Sequence, residues 1–434
     1  MQKREKQGVL FAVAVLFAVN LLNYYDRNAP GALAEPIRRE FSLSDTQIGI
    51  MGSAFIWLYA LIGVPLGRLA DIWSRKKLMA VGILIWTAFT ALIGLATNYP
   101  MLLASRLGVG VGEAVCAPAG TSWLGDLYPA NQRSRILTIF MLAFPIGSAL
   151  GVFFSGPIAQ AYGWRTAMMF AAAPALLLIP AVLLLNEPER GAVERKANVE
   201  PLLSKESPWK VLRIPSLWWI IASGAFLNFN MYALASFLPA FFSRVHKVSL
   251  GQSGIYVAFV YLAGGVLIGL LSGYLGDKVM ESRKNGRMLL GAAFALISVP
   301  FWYIGMTQPQ GAVLVTWACF AVGFGTLNAY YGLVYSAIQD IVPPTQRGFA
   351  MAIYFMAMYV CGAAFGPILT GTVSDRLARS AMSQAGATEL TDQFRAIGLQ
   401  QAMLAVPIVA LLLALVLWLG SRTIEADMQH RDAI

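Results

Sequence analysis

Ten stretches of this chain contain no Asp, Glu, Lys or Arg for nineteen residues or more: 7–25, 46–67, 78–105, 136–164, 166–186, 214–243, 248–276, 288–339, 348–374 and 396–421. A bilayer core about 30 Å thick is crossed by roughly 20 helical residues, so runs of this length read as membrane spans. Backbone groups in lipid are satisfied only in helices or closed barrels, and runs this continuous lack the alternation of barrel strands. Composition agrees: 58% of residues are hydrophobic, 12% are charged, and mean hydropathy is +0.63. That is too little charge to clothe a soluble surface and too much apolar content for disorder. Three cysteines exclude a disulfide scaffold.

The 52-residue run 288–339 is too long for one span and breaks at the turn signal Thr307-Gln-Pro-Gln-Gly311. The run 78–105 breaks at Thr97-Asn-Tyr-Pro100, and a further helix is expected from about 101 to 125, interrupted by Arg106 and Glu113. The total is twelve spans. Lys3, Arg4 and Lys6 before an apolar stretch imitate a signal peptide, but no small-residue cleavage site follows, and the segment reads as an uncleaved first span. With the N-terminus inside, the inner segments hold 22 of the 32 basic residues, so both termini are expected in the cytoplasm. The net charge of +10 then needs no nucleic-acid partner; acidic headgroups of the membrane lipids suffice. The long polar stretch between spans six and seven divides the chain into residues 1–187, a linker 188–213, and residues 214–434.

The two halves repeat each other. Asp126-Leu-Tyr-Pro-Ala-Asn-Gln-Arg133 after span four returns as Asp340-Ile-Val-Pro-Pro-Thr-Gln-Arg347 after span ten, at an offset of 214. Gly67-Arg-Leu-Ala-Asp71-Ile-Trp-Ser-Arg75-Lys-Lys77 after span two is matched by Gly273-Tyr-Leu-Gly-Asp277, with Arg283-Lys284 beyond it, after span eight. Gly156-Pro157 recurs as Gly366-Pro367. Six spans per half make the repeat parallel, with its axis along the membrane normal and the substrate path expected between the halves. The chain here resembles the major facilitator superfamily over essentially its whole length. That resemblance implies an all-α membrane protein of twelve helices in two six-helix bundles related by a pseudo-twofold axis. The segment 67–77 is similar to the superfamily's signature loop, with Ile72 and Ser74 in place of the usual Arg and Gly. The resemblance implies conformational switching at Gly67, Asp71, Arg75, Asp126, Arg133, Asp277 and Arg347. Arg75–Lys77 also set topology, and the two roles are compatible.

A charge at the bilayer centre costs at least about 2.5–3.5 kcal/mol, so charges inside spans are functional candidates. Four qualify: Asp26, Arg27, Arg106 and Glu113. Asn20, Asn23 and Arg27 share a helical face, with Asp26 about 100° round. Either span one ends at Tyr25 and leaves Asp26 and Arg27 at the interface, or the uncharged run 28–34 carries the helix past them. Arg106 lies two turns before Glu113 on the same face, and Gly108, Gly110 and Gly112 thin the helix for close approach. Glu113 is either half of a structural ion pair or a functional group. A buried carboxylate beside an arginine can carry a proton, and Asp26 and Glu113 can share Arg27 as counter-ion. Protonating one carboxylate would release Arg27 to bind an anionic substrate.

The second half has no such charges. It offers Asn228, Tyr232 and Ser236 in span seven, Tyr256 and Tyr261 in span eight, and Asn328, Tyr331 and Tyr335 in span ten. These are either packing or a cavity wall. A cavity half charged and half aromatic suits an amphiphile with an anionic head and an apolar body. Pro145, Gly147, Gly151, Gly156 and Pro157 in span five resemble the superfamily's antiporter motif with altered spacing; hinge or close packing is the simpler reading.

Asn23-Tyr-Tyr-Asp26-Arg27, Gly110-Val-Gly-Glu113-Ala, Phe144-Pro-Ile-Gly-Ser-Ala-Leu-Gly151 and Gly163-Trp-Arg165 together resemble the Spinster branch. The resemblance implies proton-coupled transport of a lysolipid or sphingolipid-like molecule. It also implies a coupling and headgroup site at Asp26, Arg27 and Glu113. The alternative is the anion:cation symporter branch, which moves small organic anions. Absent sequons and short loops favour a bacterial inner membrane. An ATP-driven pump is disfavoured by the lack of a G-x-x-x-x-G-K-[ST] loop, and an enzyme by two histidines placed apart, His246 and His430. Cys116, Cys319 and Cys361 have no ligand spacing. A monomer with no cofactor and no metal is expected.

Overall fold

The computed structural model describes residues 2–128, 136–137, 139–189, 208–343 and 346–432. The described residues are nearly all helical, and twelve helices are long and apolar enough to cross a membrane. They are α1 (Gln7–Ala32), α2 (Asp45–Gly63), α3 (Arg75–Gly94), α4 (Tyr99–Leu127), α5 (Ile139–Tyr162) and α6 (Trp164–Leu183). The second six are α7 (Pro215–Val245), α8 (Leu250–Ser282), α9 (Gly286–Thr307), α10 (Val313–Ile341), α11 (Phe349–Gln384) and α12 (Asp392–Gly420). The charge-free runs therefore locate the spans. The longest run divides at the expected turn, where Gly311 takes φ +93°, a conformation open to glycine. Asn98 caps α4 by accepting the Met101 N–H at 2.9 Å, which separates α3 from α4.

Exposure is inverted relative to a soluble protein. Leu61, Leu177, Leu184 and Leu314 are 72–75% exposed, while Asp26 and Glu113 are 2% and 0% exposed. Leucines on the outside and carboxylates on the inside are stable only where the surroundings are hydrocarbon.

The chain separates into two compact units. The first comprises Met1–Ser42, Ala54–Pro201 and Leu250–Ala258, so it holds α1, most of α2, α3 to α6 and the first turns of α8. Within it α1 crosses α5 closely, with Gly147 and Gly151 against the backbone carbonyls of Leu21 and Tyr25. Close packing is thus the role of those glycines. Asn20 and Asn28 fix the same crossing by donating to the Phe140 carbonyl (3.0 Å) and the Ser148 hydroxyl (2.9 Å).

The second unit comprises Leu43–Ser53, Leu202–Ser249 and Phe259–Ile434. Here the first turn of α2 is held by α7 and α11. Arg244 donates to both oxygens of Asp45 at 2.8 Å, and Ser374 donates to Asp45 at 2.6 Å. The Asp375 carboxylate caps α2, accepting the Asp45 and Thr46 N–H groups and the Thr46 hydroxyl at 2.6–3.0 Å. These charges stand just outside the charge-free runs, so run length alone assigns them to solvent. In the structure Asp45 and Arg244 are 1% and 4% exposed.

Candidate functional site

In the first unit, α1 continues unbroken past Asp26 and Arg27 to Ala32. The helix therefore does not end at Tyr25, and both residues lie on it. α4 is interrupted at Ala114–Val115, dividing it into Tyr99–Glu113 and Cys116–Leu127. Glu113 is therefore the last residue of a helical segment, midway along a span. Gly110 has no side chain to hold off the Phe55 carbonyl, and the close approach carries Phe55 and Tyr59 of α2 into the site.

Five of the expected residues gather here. Arg27 Nε donates to Glu113 Oε2 at 2.8 Å, with side-chain exposures of 7% and 0%. The guanidinium is boxed by three rings, lying 5.1 Å from Tyr24, 5.0 Å from Phe55 and 4.5 Å from Tyr59. Contacts of this kind are worth about 0.5–2 kcal/mol each, more when desolvated. Arg106 is buried and lies 5.3 Å from the same Phe55 ring. Asn23 is buried beside Glu113. Asp26 is held differently: Thr90 Oγ1 donates to Asp26 Oδ2 at 3.1 Å, and Asp26 Oδ1 is buried with no hydrogen-bond partner among the described residues. Sequence reasoning found the four charges because they interrupt apolar runs. It missed Tyr24, Phe55, Tyr59 and Thr90, which are ordinary residues in a span.

The second unit builds a neutral counterpart. α10 is interrupted at Ala329, so Asn328 ends the segment Val313–Asn328 as Glu113 ends its own. An amide stands where the first half has a carboxylate. Asn328 Nδ2 donates to the Gly265 carbonyl at 3.2 Å, within a π-helical stretch Val260–Ile268 of α8. Asn228 Nδ2 donates to the Gly224 carbonyl (2.9 Å) and contacts Met358 Sδ (3.2 Å) at the start of a second π-helical stretch, Met358–Ala363. Such stretches recur at functional sites. Tyr331 donates to Asn228 Oδ1 at 3.3 Å, and the Tyr232 ring lies 6.2 Å from that of Tyr359. Asn228 and Tyr331 are thus brought together, whereas Tyr232 and Asn328 have other partners.

Each unit has a further charged cluster, at the start of α3 in the first and of α9 in the second. Arg75 is fully buried. It pairs with Asp126, donates to Ser122 Oγ (3.1 Å) and the Pro188 carbonyl (2.8 Å), and meets Glu187 at 3.2 Å. Glu187 also accepts from the Ser74 hydroxyl at 2.7 Å and the Arg75 N–H at 2.8 Å, capping α3. Burial pushes the Glu187 carboxyl up, but hydrogen bonds from Ser74, Arg75 and Lys76 outweigh it and leave the group below the usual range. In the second unit Arg287 pairs with Asp340 and reaches Asp277 at 3.1 Å. Arg287 thus pairs with the Asp340 of the repeated motif as Arg75 pairs with Asp126. Arg347 donates to the Val342 and Gln339 carbonyls. Gly67 lies on the helix Asp45–Ile72 with open space at its Cα. The side chain of Asp71 and the whole of Arg133 lie outside the described residues.

Comparison with known proteins gives one consistent picture. The family model described as Major Facilitator Superfamily matches residues 16–367. An MFS-type efflux pump from Mycolicibacterium smegmatis is 31% identical over 96% of this chain and 94% of its own length. Protein spinster homolog 1 from Homo sapiens is 31% identical over 85% of this chain and 73% of its own. The crystal structure of a bacterial homolog to the human lysosomal transporter Spinster, inward-facing and unoccupied, superposes with a TM-score of 0.85 at 24% identity. It covers 97% of this chain and 98% of that one.

Proposed function

The chain belongs to the Major Facilitator Superfamily, as a multi-pass membrane transporter of Spinster type. From that premise we propose that it is a proton-coupled secondary transporter, working by alternating access, whose cargo is an anionic amphiphile such as a lysolipid or sphingolipid-like molecule. The observation that carries this reading is the buried Arg27–Glu113 pair, beside a second buried carboxylate at Asp26. A buried ion pair is weak evidence for stability, because desolvating both charges offsets most of the attraction. Four ionisable groups in one half of an apolar bundle are more economically explained by transport chemistry.

The steps follow from the contacts. With its carboxylate ionised, Glu113 holds Arg27 by a charge-assisted hydrogen bond. Proton uptake at the Asp26–Glu113 site removes a negative charge and weakens that hold. Arg27 then presents its guanidinium to a phosphate or carboxylate headgroup, steadied by Tyr24, Phe55 and Tyr59. Asn23 and Arg106 line the same site. Asn228, Tyr232, Asn328 and Tyr331 hold the uncharged part of the cargo. Residues 1–187 and 214–434 act as the two moving halves, joined by 188–213. The Arg75–Asp126–Glu187 and Arg287–Asp277–Asp340 clusters break and re-form during the cycle. The distribution of basic residues supports cytoplasmic termini, and short loops without sequons support a bacterial inner membrane.

The test is uptake by proteoliposomes under an imposed pH gradient, comparing lysophosphatidylglycerol with a small organic acid, on wild type and Glu113→Gln. Gradient-driven lysolipid uptake that Glu113→Gln abolishes is expected. Uptake of the organic acid alone would replace the amphiphile with a small organic anion as cargo. Uptake indifferent to pH in wild type would sink proton coupling.

A further inference from the structure

We propose that Thr90 is a positioning residue for proton exchange at Asp26, supplying the one hydrogen bond that its carboxyl group can keep in both protonation states. The inference rests on the reading of Asp26 as a proton-coupling group and names the residue that tunes it.

The two carboxylates of the site are held in opposite ways. Glu113 faces a guanidinium, a donor with no acceptor capacity, which favours the ionised form alone. Asp26 faces a hydroxyl, which can donate to a carboxylate and accept from a carboxylic acid by rotating about one bond. Asp26 and Thr90 are 2% and 1% exposed, so bulk water does not substitute for that bond. The other oxygen of Asp26 has no hydrogen-bond partner among the described residues. One titratable group is thus locked by an ion pair, and the other is tethered by a partner that follows the proton, donating to the ionised form, where the bond is stronger, and accepting from the protonated one.

The electrostatic surroundings of Asp26 are few. Arg106 and Glu113 face it from α4, and Arg27 and Tyr25 are its neighbours on α1. Residues 78–94 of α3, 139–162 of α5 and 166–183 of α6 include no charged side chain. The Thr90 hydroxyl is thus an uncharged contribution from α3 to the proton balance at Asp26, and it can be removed without altering any charge. A hydroxyl donated to a carboxylate favours the charged form, so its loss favours the protonated one.

The experiment is an infrared difference titration of the purified full-length protein. It follows the protonated-carboxyl band assigned to Asp26 by its absence in Asp26→Asn. Transport of lysophosphatidylglycerol into proteoliposomes is measured across the same pH range. Thr90→Val keeps the side-chain volume and removes the hydroxyl. The band's midpoint and the alkaline limb of the transport profile are expected to move to higher pH together, by roughly one unit. Thr90→Ser should restore both to within a few tenths of a unit, and Thr90→Val should be silent in an Asp26→Asn background. Thr90→Ala serves if the valine variant does not fold. A folded Thr90→Val or Thr90→Ala protein with reduced transport and an unmoved midpoint would show a packing role only, and the proposal would be wrong. If Asp26→Asn itself keeps full proton-driven transport, the coupling role of Asp26 fails, and the proposal for Thr90 falls with it.

Discussion

The two units bury polar groups at corresponding places with different chemistry. The first closes the broken helix α4 on a carboxylate and surrounds it with Asp26, Arg27 and Arg106. The second closes the broken helix α10 on an amide, Asn328, bonded to a backbone carbonyl of α8, and pairs a second asparagine, Asn228, with Tyr331. A duplicated fold has thus kept its helix break in both copies and its charge in one. Ionisable groups respond to a proton and neutral ones do not. Under the proposed function, energy coupling belongs to the first unit and recognition of the uncharged part of the cargo to the second.

The comparison is broken most severely by removing one member of the charged site. Arg27→Ala leaves Glu113 buried without its cation, an arrangement that typically costs about 3–5 kcal/mol. We expect a large drop in thermal midpoint in detergent and no transport. Glu113→Gln, which removes the charge with its partner still present, should be better folded and equally uncoupled. The corresponding neutral change, Asn228→Ala, removes hydrogen bonds worth about 1 kcal/mol each and should weaken cargo binding while proton coupling persists. A collapse of Asn228→Ala as severe as that of Arg27→Ala, read by the same thermal scan, would erase the distinction.

Placing a charge in the neutral unit tests it from the other side. Asn328→Asp puts a carboxylate at the end of Val313–Asn328 with no cation to receive it. Insertion scales put such a charge at about 2.5–3.5 kcal/mol. Lower expression and a lower thermal midpoint are expected, easing as the pH is lowered and the aspartate takes up a proton. A fully stable Asn328→Asp variant at neutral pH would mean that the second unit tolerates charge as the first does.

Much of this was legible before the structure. The bilayer imposes run length directly on the sequence, so the twelve spans follow from where charge is missing. Asp26, Arg27, Arg106 and Glu113 were legible for the converse reason: a charge in an apolar run is conspicuous. Thr90, Phe55 and Tyr59 were not, because threonine and aromatic residues are common in spans and only the packing of α2, α3 and α4 shows what they touch. Glu187 and Arg287 were hidden at helix ends, where charge ordinarily means solvent or topology. Asp45, Arg244 and Asp375 were hidden in the same way, and run length does not say which helix ends meet.

The smallest expected effect concerns Glu187, whose carboxyl is held below the usual range by the hydrogen bonds that cap α3. A carboxyl with a lowered value in the folded state contributes stability above its unfolded value of about 4.3. That contribution is lost as the pH falls through the lowered folded value. The thermal midpoint of Glu187→Gln should therefore lie slightly below that of wild type at neutral pH, and the two curves should converge in acid. A gap that persists below that range would assign the effect to packing. Glu187 belongs to the cluster proposed to break and re-form during the cycle and not to the proton-coupling site, so turnover is expected to change while the dependence of uptake on the proton gradient persists.

The most direct test of the division of labour is a ratio. Lysophosphatidylglycerol accumulation in proteoliposomes is measured with and without an inward proton gradient, for wild type, Glu113→Gln and Asn328→Ala. The account predicts a gradient-dependent ratio in wild type, a ratio near one in Glu113→Gln, and an unchanged ratio at a raised KM in Asn328→Ala. A gradient response that survives in Glu113→Gln, or one that vanishes in Asn328→Ala, would contradict it.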